Sequence, residues 1–145
     1  MTTYQISCKI GSTAPAADLG LEIWVDDIQL YNADHVTDAE LPLAFELEEE
    51  EGVHELRFVM KNKTVEHTVV DDEGNIINDA RIVISNLAFD EIKLGQIFVD
   101  RAVYTHNFNG TQTEIQDKFY GEMGCNGTVS LGFTIPIYLW LLEHM

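Results

Sequence analysis

Trp24 stands between Glu22 and Asp26 in the segment Leu21-Glu22-Ile23-Trp24-Val25-Asp26, an aromatic ring flanked at two-residue spacing by carboxylates. Residues two apart on an extended chain share a face. An indole plane with acidic groups on either side can stack on a pyranose ring and bond its hydroxyls. Trp24, Glu22 and Asp26 are therefore the candidate carbohydrate-binding residues. The alternative is that Trp24 packs beneath a loop or on a second sheet. A second cluster, Asp71, Asp72, Glu73, Asn75, Asn78 and Asp79, crowds around Gly74. Hard oxygen donors in a turn can bind calcium, which makes Asp71, Asp72, Glu73 and Asn75 the candidate metal ligands. Their order is not that of an EF-hand loop, and a charged hairpin tip is the alternative. No cofactor is expected apart from calcium, which the sequence leaves open.

Catalytic machinery is not legible. No Walker loop, dinucleotide glycine fingerprint, nucleophile elbow or His-Glu-x-x-His pattern occurs. The five histidines, His35, His54, His67, His106 and His144, are scattered. Cys8 and Cys125 fit no paired metal spacing; they read as two half-buried thiols, or as one staple between distant parts of the chain. The run Glu46, Glu48, Glu49, Glu50, Glu51 reads as a solvated loop tip, with a cation holder as the alternative. The expectation is a protein that is not an enzyme.

Charge narrows the partners. Eight basic residues against 25 acidic ones give a net charge of −17. Phosphate backbones are bound chiefly by Lys and Arg, so this field opposes nucleic acid, and it opposes anionic membrane surfaces for the same reason. The terminal apolar run is far shorter than the roughly 20 residues that span a bilayer. The N-terminal residues carry no secretory signal pattern, so synthesis and folding in a cytoplasm are expected.

These side chains need elements to hold them, and the hydropathy pattern names the kind. Leu21, Ile23 and Val25 alternate with Glu22, Trp24 and Asp26; Leu56, Phe58 and Met60 alternate with Glu55, Arg57 and Val59; Val129, Leu131 and Phe133 alternate with small and polar residues. Period two with one apolar face predicts antiparallel strands lying on a core. Further strands are predicted over Tyr4–Ile10, Leu41–Leu47, His67–Asp71, Arg81–Leu87, Ile92–Phe98 and Val103–Phe108. Glu51-Gly52, Asp72-Glu73-Gly74-Asn75, Asn109-Gly110 and Asn126-Gly127 supply hairpin turns. Roughly nine short strands predict an all-β fold, an antiparallel two-sheet β-sandwich of jelly-roll type, as one domain over residues 1–145.

The end of the chain departs from this pattern. Pro136 followed by Ile137-Tyr138-Leu139-Trp140-Leu141-Leu142 predicts a short helix, with a final buried strand as the competitor. So apolar a surface must be covered, by the protein's own core or by a partner. The expectation is that Ile137, Leu139 and Leu141 face inward, while Tyr138, Trp140 and Leu142 meet a partner.

Several stretches resemble known proteins: His54-Glu-Leu-Arg-Phe through Asn62-Lys-Thr, Glu66-His-Thr-Val-Val-Asp-Asp-Glu-Gly-Asn-Ile, Ile84-Ser-Asn-Leu with Phe89-Asp, and Phe119-Tyr-Gly-Glu-Met-Gly-Cys-Asn-Gly-Thr with Pro136-Ile-Tyr-Leu-Trp-Leu. They resemble small β-sandwich virion proteins of tailed bacteriophages, particularly those infecting marine cyanobacteria. The resemblance covers most of residues 50–145. It implies a non-enzymatic structural or accessory protein of the tail, baseplate, neck or capsid, made in the host cytoplasm and carried in the virion, with other virion proteins as partners and self-association left open. At the level of fold the chain is also similar to calcium-dependent, xylan-binding-like carbohydrate modules. That similarity implies the alternative, a module for host-surface glycans.

Overall fold

The alternating segments pair into two antiparallel sheets whose apolar sides face each other. The structure, a computed structural model, describes residues 1–14, 18–64, 68–70, 72–73, 76–107, 110 and 112–144. The first sheet contains β1 (Thr2–Ser12), β4 (Leu41–Glu49), β8 (Ile82–Phe89), β9 (Ile92–Lys93) and β12 (Glu122–Met123), ordered β12-β8-β1-β4 with β9 on β8. The second contains β2 (Gly20–Val25), β3 (Ile28–Ala33), β5 (Gly52–Lys61), β10 (Val103–His106), β11 (Ile115–Lys118) and β13 (Gly127–Ile135), ordered β11-β10-β13-β5-β2-β3. A separate hairpin joins β6 (Thr68–Val70) to β7 (Ile76–Asp79). The two-sheet sandwich is the expected architecture.

The core is the sum of the inward positions. Tyr4, Ile6, Cys8 and Ile10 of β1 meet Leu21, Ile23 and Val25 of β2, Leu56, Phe58 and Met60 of β5, and Val129, Leu131, Phe133 and Ile135 of β13 in one buried cluster. Each such side chain contributes on the order of 1.5–3 kcal/mol when removed from water. Phe133 is a centre of this packing, with ring centroids 5.0 Å from Phe89, 5.9 Å from Tyr4 and 6.4 Å from Trp140.

Among the described residues two helices accompany the strands: α1 (Gln96–Arg101) and α2 (Ile137–His144). The strand expected over Ile92–Phe98 is not formed as such, because β9 ends at Lys93 and Gly95, at φ 53, turns the chain into α1. Leu94, Ile97, Phe98 and Ala102 are the buried residues here, and their spacing of three and four is helical, not alternating. In α2 the same period overrides the expected facing. Ile137, Trp140 and Leu141 are buried, while Tyr138, Leu139 and Leu142 are exposed. Trp140 is thus no partner-facing residue: its ring packs 5.8 Å from Phe89. Leu139, expected inward, points out.

Candidate functional site

On β2 the alternation places Glu22 and Trp24 on the outer face of the second sheet, opposite buried Leu21, Ile23 and Val25. Trp24 is half-buried, neither a core residue nor a free platform. It sits beside Arg57 in the β2–β5 register, and the guanidinium carbon lies 5.7 Å from the indole centroid, a cation–π distance. The indole Nε1–H donates to Glu22 Oε1 at 3.2 Å, and Gln29 Nε2 donates to the same oxygen at 2.8 Å. Lys61 Nζ lies 3.5 Å from Glu22 Oε2 and 3.1 Å from Asp34 Oδ1, and donates to Asn32 Oδ1 at 2.7 Å. Slight burial works against the Lys61 charge, but the Asp34 and Glu22 carboxylates outweigh it and raise its pKa. The outcome is an aromatic surface held in one orientation and ringed by donors and acceptors.

Asp26 does not join that face. It leaves the strand at the β2–β3 turn with φ 50, a left-handed conformation that Asp tolerates better than most residues. Its carboxylate turns toward the neighbouring hairpin, where Oδ2 lies 2.6 Å from His54 Nδ1 and Oδ1 accepts from the Glu55 backbone N–H at 2.9 Å. Its own carbonyl accepts from Arg57 Nη2 at 2.6 Å. Of the three residues expected to act together, Glu22 and Trp24 do, and Asp26 belongs to a different cluster.

That cluster sits at the rim between the sheets. His54 follows the inward register of Leu56 and Phe58 on β5, and its ring lies 5.8 Å from Phe133. Glu49 follows the inward register of Leu47 at the end of β4, with its Oε2 3.9 Å from His54 Nδ1. His54 Nε2 lies 2.8 Å from the Glu50 carbonyl oxygen. Partial burial lowers the His54 pKa, but the hydrogen bonds to Asp26 and Glu50 and the charges of Asp26 and Glu49 raise it further, for a net rise. Tyr4 reaches the same corner from β1. Burial, then the Glu49 and Asp26 charges, push its phenol well above the ordinary range.

Sequence reading missed Glu49, His54 and Tyr4 as a group. A signal was present: each extends an apolar alternation with a polar group at a strand end, as in Phe45, Leu47, Glu49 and Phe58, Leu56, His54.

The other expected sites are partly outside the described residues. Asp71 and Asn75 are among those not described; Asp72 and Glu73 are exposed at the β6–β7 turn. A depression of about 490 Å³ on the first sheet, lined by Ser7, Lys9, Pro42, Ala44, Asn86 and Lys93, includes none of these residues.

No protein-family model matches the chain. No curated protein sequence matches it either. In fold, it is similar to vCBM60. The selenomethionine form of that protein, described in connection with two circularly permuted families of calcium-dependent carbohydrate-binding modules, superposes with a TM-score of 0.57 at 12% identity, covering 89% of this chain and 90% of its own. vCBM60 in complex with galactobiose gives 0.54 at 14% identity, covering 88% and 97%. Identities this low establish the shared β-sandwich and nothing about individual residues. Neither likeness is to a virion protein.

Calcium binding by such modules raises the question of whether the rim cluster suits that ion. It does not. Calcium takes six to eight oxygen ligands, whereas Asp26, Glu49 and His54 bring two carboxylates and a ring nitrogen. One Asp26 oxygen and the Glu50 carbonyl are already engaged.

Proposed function

We propose that the chain is a non-catalytic carbohydrate-binding module. A sugar ring stacks at Trp24 and has its hydroxyls bonded by Glu22, Gln29 and Arg57. The observation that carries this reading is the orientation of Trp24: an indole on the outer sheet face, fixed by Glu22, with the Arg57 guanidinium over one face of its ring and polar side chains of both signs in reach. A flat apolar ring edged by donors and acceptors matches the amphipathic surface of a sugar, whose C–H faces stack while its rim bonds. The fold likeness to a protein solved with galactobiose supports the same reading. Asp26 takes no part, because its carboxylate is committed to His54.

Retention on a panel of β-linked polysaccharides, galactan and xylan among them, tests it. Trp24→Ala is expected to weaken retention at least about tenfold, the equivalent of about 1.4 kcal/mol, while near-UV and far-UV spectra stay native apart from the lost indole. Wild-type protein that no glycan retards, or a Trp24→Ala variant retained as well as wild type, overturns the reading.

A second reading rests on α2. Tyr138, Leu139 and Leu142 are exposed side by side, an apolar surface suited to docking on another protein. It suits assembly with another protein through this helix; that the assembly is a tailed-phage particle rests on the sequence resemblance alone. The two readings are compatible, since a glycan-binding domain can be mounted on a virion. Mass spectrometry of purified particles decides the second, and Leu142→Ser is expected to prevent incorporation without unfolding the chain. A variant that still assembles removes α2 from that role.

A further inference from the structure

We propose that Asp26, Glu49 and His54 form a site at the rim of the sandwich for one divalent transition cation of the zinc class. The three side chains come from a turn and two strands, and one ligand atom of each lies within 4.8 Å of the others. Imidazole with carboxylates is a donor set for zinc and its neighbours, which accept four ligands at roughly 2.0–2.2 Å. Binding requires the 2.6 Å Asp26–His54 contact to open and the 3.9 Å Glu49–His54 contact to close, toward the roughly 3.4 Å between ligand atoms of a tetrahedral ion.

The hydrogen bonds orient the ring for this. The Glu50 carbonyl can only accept, so His54 Nε2–H donates to it and Nδ1 is aimed at Asp26 and Glu49. In the metal-free protein an Nδ1–H donates to Asp26 Oδ2 at 2.6 Å; on binding, the cation takes that proton's place between Nδ1 and the two carboxylates. A ligating histidine whose other ring N–H is tied to a backbone carbonyl is the usual arrangement at metal centres.

A separate observation points into the same corner. The Tyr4 hydroxyl and Glu49 Oε1 are both buried and have no hydrogen-bond partner among the described residues. Tyr4 is 2% exposed, and its hydroxyl stands in the field of the Glu49 and Asp26 carboxylates. A buried carboxylate oxygen left unpaired is costly, and metal coordination is one of the few ways to satisfy it. The inference does not depend on sugar binding, because Trp24 and Glu22 lie on the other face of the sheet.

The test uses the full chain, stripped with a chelator and dialysed against zinc or cobalt(II). The expected result is uptake of one equivalent. Cobalt gives visible d–d bands of a four-coordinate ion, and zinc shifts the His54 Nδ1 resonance while Nε2 keeps its proton. Millimolar calcium should not displace either metal. Glu49→Gln preserves volume and is expected to weaken zinc by more than the roughly 10–100-fold that loss of an outer-shell partner costs. His54→Ala should abolish the cobalt bands. Trp24→Ala should leave them unchanged, which separates this proposal from the glycan site. No stoichiometric uptake, or uptake undiminished in both Glu49→Gln and His54→Ala, overturns it, the latter by assigning the metal to other histidines.

Discussion

Trp140 and Cys8 show how far burial alone fixes the behaviour of a side chain. Trp140 is 4% exposed and lies against Phe89 and Phe133, so Trp140→Ala removes a large ring from a packed interior. The expected cost is about 3–5 kcal/mol, a large share of a typical total of about 5–15 kcal/mol. Urea unfolding checks it, and a loss below about 1 kcal/mol would mean that α2 is only loosely seated. Cys8 is buried on β1, and desolvation pushes its thiol up to about 12. At pH 8 its reactive thiolate is then about 10⁻⁴ of the population. Thiol reagents at that pH are expected to modify half-buried Cys125 first and Cys8 only after unfolding. Equal rates for both would contradict the packing of β1.

At the scale of elements, the sequence marks the strands with one face in the core, β1, β2, β5, β8 and β13, and the expected strands over Leu41–Leu47, His67–Asp71 and Val103–Phe108 also form, as β4, β6 and β10, although His67 and Asp71 lie outside the described residues. The strands missed are β3, β7, β11 and β12. Edge strand β11 is exposed at every position, so no alternation can mark it. The sequence also hid α1, because a helix of six residues completes fewer than two turns and Gly95 is its N-terminal punctuation. Half of the candidate site was readable for the same reason. Glu22 and Trp24 follow from alternation within β2, whereas alternation marks Glu49, His54 and Tyr4 only one by one as inward-facing, and that they meet depends on sheet-to-sheet packing. The β6–β7 hairpin carries a prediction of its own. Asp72 and Glu73 are exposed at its turn, and if the turn holds calcium, millimolar calcium raises the melting temperature by mass action. Asp72→Asn is then expected to remove most of the rise. A wild-type melting curve indifferent to calcium reduces the turn to hairpin chemistry.

For the molecule as a whole, 25 acidic residues against eight basic ones outweigh the ion pairs described here. Lys9–Glu40 and Arg81–Glu122 are exposed pairs, and exposed pairs contribute little. Net self-repulsion is the larger electrostatic effect, and salt screens it. Raising ionic strength from about 0.01 M to about 0.15 M, which shortens the screening length from about 30 to about 8 Å, is expected to raise the melting temperature. A fall would place the ion pairs ahead of repulsion.

The order β10-β13-β5 has a consequence for the chain as it is made. Strand β13 lies between β5 and β10 and pairs with both, yet it is the last of these three to leave the ribosome. Until Gly127–Ile135 emerges, β5 and β10 each present a bare edge, and the second sheet exists only as β5-β2-β3 and β10-β11. Such edges invite pairing with other chains. Nascent chains arrested before residue 127 are therefore expected to remain protease-sensitive and chaperone-bound, and those arrested once β13 and α2 have cleared the exit tunnel to become resistant in a single step.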